Sequence, residues 1–220
     1  MTLVDTSGFV LKVCGITTEQ DGLLAASAGA NAIGLNFYRR SPRFVTVQEA
    51  QRIAAVLPEN VSKVGVFVDE SAERILEIAH AVPLDVVQLH GSRLPATLPS
   101  SLRIWRAISV DEDFSASSVT VFKAEAYLLD TPSEQGGGSG RTFDWSRAAH
   151  VSERVVLAGG LDGDNVRSAI SQVRPWGVDA CSRLESAPGK KNEAKVRHFV
   201  SVALGAFATL KPAREPLVVR

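Results

Sequence analysis

Short apolar runs recur along the chain: FVLKVC, AIGLNFY, KVGVFV, DVVQLH, RIWRAI, AYLLD, RVVLAG and WGVDAC, beginning near positions 9, 32, 63, 85, 103, 126, 154 and 176. The runs are rich in Val, Ile, Leu and aromatics, and their starts lie 18 to 31 residues apart. That interval suits a strand, a connecting helix and the next strand. Several intervening segments carry the helical period. TEQDGLLAASAG (18–29) opens on a capping pattern and closes on glycine. TVQEAQRIAAVLP sets Ala50, Ile53, Ala54 and Leu57 on one face, and SAERILEIAHAV does the same with Ile75, Leu76 and Ala79. NEAKVRHFVSVAL (192–204) is a further helix. The segments after the fourth and fifth runs hold several Pro and Ser, so short or irregular elements are expected there.

Strands apolar on consecutive residues and separated by helices form a parallel sheet covered on both faces. Eight of them favour closure into a single (β/α)8 TIM barrel of the α/β class. Periodicity does not report closure, and an open doubly wound sheet is the alternative. A single domain over 1–220 is expected, with 1–8 and 211–220 as terminal extensions. The glycine-rich EQGGGSGR (134–141) precedes only two strands, too few for a second parallel domain, so it reads as an active-site loop.

Composition narrows the function. Lys plus Arg equals Asp plus Glu at 24 each, which leaves no electrostatic footprint for nucleic acid or an anionic membrane. The GKK at 189–191 reads as a local positive spot. MTLVDTSG has neither a basic start nor an apolar stretch, so no secretory signal is expected. The uncharged stretch Gly22–Tyr38 is too short and polar to span a bilayer. Two cysteines make no disulfide framework, and a cytoplasmic protein with reduced thiols is expected.

A barrel of this kind carries its active site at the C-terminal ends of the strands. That rule selects Cys14, the segment Tyr38–Arg43, Asp69, His90, Asp130, Gly159 and Gly160, and Asp179–Arg183. Taken singly, each has a plain structural reading: Cys14 as a small buried apolar residue, Asp130 before Thr-Pro as a turn cap. Their meeting at one rim is what points to chemistry. LAGGLDGDNV and DACSRLESAPGKK follow the seventh and eighth strands, where barrels hold phosphate on backbone N–H groups and a helix N-terminus. The four histidines show no metal-ligand spacing, so no metal is expected. A thiol and a carboxyl group beside a phosphate cradle are equipment for proton transfer.

KVCGIT, GLNFYRRSPRFV, VGVFVDE, VVQLHG, LLDT, GGSGRTFDW, LAGGLDGDNV and ESAPGKK, in this order over residues 11 to about 200, resemble the phosphoribosylanthranilate isomerase family of tryptophan biosynthesis. The resemblance implies a cofactor-free Amadori rearrangement, an intramolecular aldose-to-ketose isomerisation of a phosphosugar. It implies Cys14 as general base and Asp130 as general acid. It also implies Arg43 on the anthranilate carboxylate, and Gly159, Gly160, Ser182 and the strand-eight loop on the phosphate. His90 and Asp179 join them as substrate contacts. The substrate is the expected partner, with the protein a monomer or homodimer. One departure stands out: the family commonly reads Asp-Val-Ser-Ser-Gly-Val-Glu where this chain reads Asp179-Ala-Cys-Ser-Arg-Leu-Glu185. Arg183 in place of glycine is strained if the position needs positive φ; otherwise it adds a cation to the phosphate site or points to solvent. Strands one and eight are neighbours in a closed barrel, so Cys14 and Cys181 are expected at the same rim, with Cys14 the reactive thiol. The rival readings are another phosphosugar barrel, such as the isomerase of histidine biosynthesis, which would carry aspartate at position 14, and a barrel that binds a phosphate metabolite without turnover.

Overall fold

A computed structural model describes residues 8–132 and 142–210. The strands are β1 (Val10–Val13), β2 (Ala32–Asn36), β3 (Ser62–Val68), β4 (Val86–His90), β5 (Arg103–Ser109), β6 (Ala126–Asp130), β7 (Val155–Leu157) and β8 (Gly177–Ala180). They pair in sequence order, all parallel, and β1 pairs with β8 to close the barrel. The open-sheet alternative is thereby set aside. The helices are α1 (Glu19–Ala28), α2 (Val47–Val56), α3 (Ala72–Ala81), α4 (Val166–Val173) and α5 (Glu193–Thr209). The described parts of the connections after β4 and β5 hold no α-helix, only a 3-10 turn at Ala116–Val121, as their Pro and Ser content foretold, and the described part of the connection after β6 likewise holds only a 3-10 turn, Trp145–His150. The extensions 1–7 and 211–220 and the segment 134–141 lie outside the described residues.

Local chemistry sets the helix limits. Thr18 Oγ1 accepts from the Asp21 N–H, and α1 stops at Gly29 with φ 112°. Thr46 and Glu49 form a reciprocal capping box on α2. On α3 the buried face is Ile75, Ile78 and Ala79, while Leu76 is exposed, contrary to expectation. Successive helical residues turn by about 100°, so Leu76 rotates to solvent and Ile78 takes the inward place. Phe9 stacks on Phe207 at 4.5 Å, tying α5 to the start of β1.

Two apolar layers result. The outer one, between sheet and helices, includes Leu11, Val13, Val87, Leu89, Leu129, Val178 and Ala180. The inner one fills the barrel and includes Val10, Val64, Val86, Trp105, Ala126 and Leu128. Side chains alternate along a strand. The inward positions nearest the C-terminal ends are therefore Lys12 and Cys14 after Val10, and Gln88 and His90 after Val86. Asp130 follows Leu128, and Asp179 and Cys181 interleave with the outward Val178 and Ala180.

Candidate active site

These inward residues bound a cavity of about 220 Å³ at the barrel mouth, lined by Cys14, Arg43, His90, Asp130, Asp179 and Cys181 among others. One glycine makes room for the Cys14 thiol and a second for the side chains of Arg43 and Cys181. A Cβ on Gly34 would come within 2.5 Å of the Cys14 sulfur, and Gly15 has φ +69° with Arg43 Cδ and Cys181 Sγ pressed against it. The Cys14 N–H donates to Ala180 O at 2.9 Å, which seats residue 14 beside residue 181. An antiparallel hairpin, β9 (Glu185–Ala187) and β10 (Lys190–Lys191), follows β8. Its Glu185 accepts from Arg43 Nε at 2.9 Å and Nη2 at 2.8 Å, and from Lys191 Nζ at 3.0 Å. Lys190 is exposed, as a local positive spot requires, but Lys191 is buried and adds no charge to the surface. Folding of the hairpin turns this ammonium inward to neutralise Glu185.

Lys12 is the group the motif reading passed over. It is wholly buried, and its Nζ lies 2.9 Å from Asp179 Oδ2. Burial disfavours its ammonium, but the Asp179 and Cys14 charges outweigh that and hold it charged. The Cys14 thiol is held well below its ordinary value, first by a hydrogen bond from Cys181 and then by Lys12, against the opposing effect of burial. Burial pushes Asp130 up to about 6, reinforced by the Cys14 charge and opposed by the Thr131 N–H at 2.8 Å from Oδ1. Burial likewise pushes Asp179 up to about 7 despite Lys12 at contact. An ammonium at 2.9 Å and a carboxyl raised to neutrality are compatible, because one cation here faces three acidic groups whose ionisations compete. His90 is pushed down to about 3 by burial, with Lys12 and Arg106 adding, and is neutral at physiological pH. Two buried acceptors beside these groups, Asp179 Oδ1 and Gln88 Oε1, have no partner among the described residues.

The β7 and β8 loops adjoin this cavity. Gly159 and Gly160 have φ of +83° and +61°, and a Cβ on Gly159 would lie 3.1 Å from Asp130 Oδ1. Among the described residues, the Gly159 and Gly160 N–H groups have no acceptor. Ser182–Leu184 form a 3-10 turn, and Arg183 is absent from the residues at positive φ. The position does not take positive φ, so the strain that condition would have brought to Arg183 is not present: a 3-10 turn runs at negative φ. Its Nε donates to Asp162 Oδ2 at 2.5 Å, clamping the β8 loop to the β7 loop.

Residues 11–202 match the family model described as N-(5'-phosphoribosyl)anthranilate (PRA) isomerase. The N-(5'-phosphoribosyl)anthranilate isomerase of Solibacter usitatus is 50% identical over 199 residues, covering 90% of this chain and 98% of the relative. The chain belongs to this family. Among solved structures, monomers made from the dimeric Thermotoga maritima phosphoribosylanthranilate isomerase superpose with a TM-score of 0.78 at 36% identity, covering 90% of this chain and 99% of theirs. A phosphoribosylanthranilate isomerase bound to reduced 1-(o-carboxyphenylamino)-1-deoxyribulose 5-phosphate superposes at 0.74 with 34% identity and the same coverage.

Set against that family, five expected site residues, Cys14, Arg43, His90, Asp130 and Asp179, line the one cavity. Gly159, Gly160, Ser182 and Arg183 stand on the adjoining loops at the same barrel mouth. Asp69, at φ +49°, accepts from the Arg93 N–H and props the loop after β4. Lys12, Gln88, Glu185 and Lys191 were not foreseen. The signal for Lys12 was a lone charge at an inward position of an apolar run. No helix among the described residues is long and apolar enough to cross a membrane.

Proposed function

We propose that the protein isomerises N-(5'-phosphoribosyl)anthranilate to 1-(o-carboxyphenylamino)-1-deoxyribulose 5-phosphate, with Cys14 as base and Asp130 as acid. Asp130 donates its proton to the ribose ring oxygen. The bond from that oxygen to C1' breaks as the anilino nitrogen lone pair forms an iminium. The Cys14 thiolate then takes the C2' proton, leaving an enolamine, which tautomerises to the ketone. C1' is reduced and C2' oxidised within one molecule, so the electrons balance without an external carrier.

The observation that carries this reading is the opposed tuning of two groups in one cavity: a thiol held towards its anion and a carboxyl held towards its acid. A base must begin deprotonated and an acid protonated, and the two environments favour those states. The Gly159, Gly160 and Ser182 backbone suits the substrate phosphate. Asp179 Oδ1 and Gln88 Oε1 suit ribose hydroxyls. Arg43 keeps Nη1 free of any acceptor among the described residues, a donor for the anthranilate carboxylate. Such an enzyme of small-molecule biosynthesis belongs in the cytoplasm. The test is turnover: mixing the purified protein with phosphoribosylanthranilate should discharge the substrate's fluorescence, and persistence of the signal overturns the proposal.

A further inference from the structure

Two thiols at one active-site wall are more than proton abstraction needs. Cys181 is the first residue after β8, and the pairing of β1 with β8 puts it beside Cys14. Its sulfur packs against Gly15, immediately after Cys14. It lies 3.9 Å from Glu185 Oε1 and 3.9 Å from Lys191 Nζ. Lys191 also donates to Cys181 O at 3.2 Å, so the residue is held by its backbone as well. The thiol carries one proton and has two acceptors within its surroundings, Glu185 Oε1 at 3.9 Å and the sulfur of Cys14, which the β1–β8 pairing seats beside it. Glu185 is already served by Arg43 and Lys191. A thiolate at Cys14 has far more to gain, since hydrogen bonds to charged acceptors are the stronger ones.

We propose that Cys181 is a positioning residue that donates its S–H to the Cys14 sulfur and so keeps Cys14 as the thiolate base. When Cys14 has taken the substrate proton, the Cys181 S–H turns back to Glu185, and it returns when Cys14 is again an anion. Lys191 holds Cys181 in place through both states. The inference rests on Cys14 being the base, and its test does not use turnover alone.

The pH dependence of iodoacetamide alkylation at Cys14, read by peptide mass spectrometry, reports the thiolate directly. Cys181→Ala should move the midpoint up by about one pH unit or more, which is about tenfold less thiolate at any pH below it, with the rate plateau at high pH kept. Cys181→Ser retains one donor and should recover at least half of the shift, and kcat/KM at about pH 5 should follow the same order. Should Cys181→Ala not fold, Cys181→Val removes the donor while keeping the space filled. A midpoint unmoved within a few tenths of a unit overturns the proposal. A plateau lost at all pH values also overturns it, since that is what a packing role would produce. Full turnover by Cys14→Ser defeats the assignment of the base instead, and leaves the alkylation midpoints to judge Cys181 by themselves.

Discussion

Replacing Lys12 by methionine should give a stability loss that depends on pH. The two side chains are similar in length, so the cavity term is small, and the electrical change dominates. Asp179 sits near 7 in the fold against about 4 in an unfolded chain. A raised carboxyl destabilises the fold above its unfolded value, by about 1.4 kcal/mol per pH unit until the folded value is reached. Between pH 4 and 7 that penalty grows to about 4 kcal/mol whether or not Lys12 is present. Above pH 7 the two proteins part. In the wild type the penalty levels off, because Asp179 ionises against the ammonium. Without Lys12 the folded value moves higher and the penalty keeps rising.

Cys14 acts in the same direction. Its lowered value stabilises the wild type as pH rises through it towards the unfolded thiol value, and part of that gain comes from Lys12. Lys12 itself is charged in both states below pH 10 and contributes no slope there. Urea unfolding of Lys12→Met should therefore show a small difference from wild type at pH 6 and at least about 2 kcal/mol at pH 8.5, from 1.5 units at about 1.4 kcal/mol each. Equal differences at both pH values would refute the picture of one buried cation serving several acids.

Three further outcomes follow from the same geometry. Arg43→Ala should raise KM about tenfold or more with a smaller effect on kcat, because Glu185 keeps Lys191 as its partner and the fold is spared; steady-state kinetics checks this, and an unchanged KM counts against the carboxylate contact. With Asp130 near 6 and required as its acid, kcat/KM should fall about tenfold per unit above that pH, and a profile flat to pH 8 would contradict the role. Arg183→Ala should release Asp162 beside the phosphate cradle and raise KM several-fold without lowering kcat; an unaltered KM would mean the clamp is only structural.

Much of the fold was legible because the barrel is periodic. The eight observed strand starts fall within a residue of the apolar runs, and β1 beside β8 followed from closure, which is why the meeting of Cys14 and Cys181 was foreseeable. The alternation within each strand was not legible. Both faces of a barrel strand are buried, so inward and outward positions are alike largely apolar, and only a few polar residues such as Lys12, Gln88 and Asp179 marked the inward face. Pairings such as Arg43 with Glu185, 142 residues apart, leave no local trace. Arg183 stayed open for a related reason: whether a loop position needs positive φ depends on the turn adopted, which one residue does not declare. Leu76 was a matter of helical phase, lost by one position.

The central claim is that Cys14 and Asp130 exchange protons with the substrate. Loss of phosphoribosylanthranilate fluorescence should be followed under saturating substrate for the wild type, Cys14→Ser and Asp130→Asn, with circular dichroism to confirm folding. The wild type should turn over, and each variant should lose at least ~100-fold in kcat, the usual scale of acid–base contributions. A folded variant with near wild-type kcat would contradict the account.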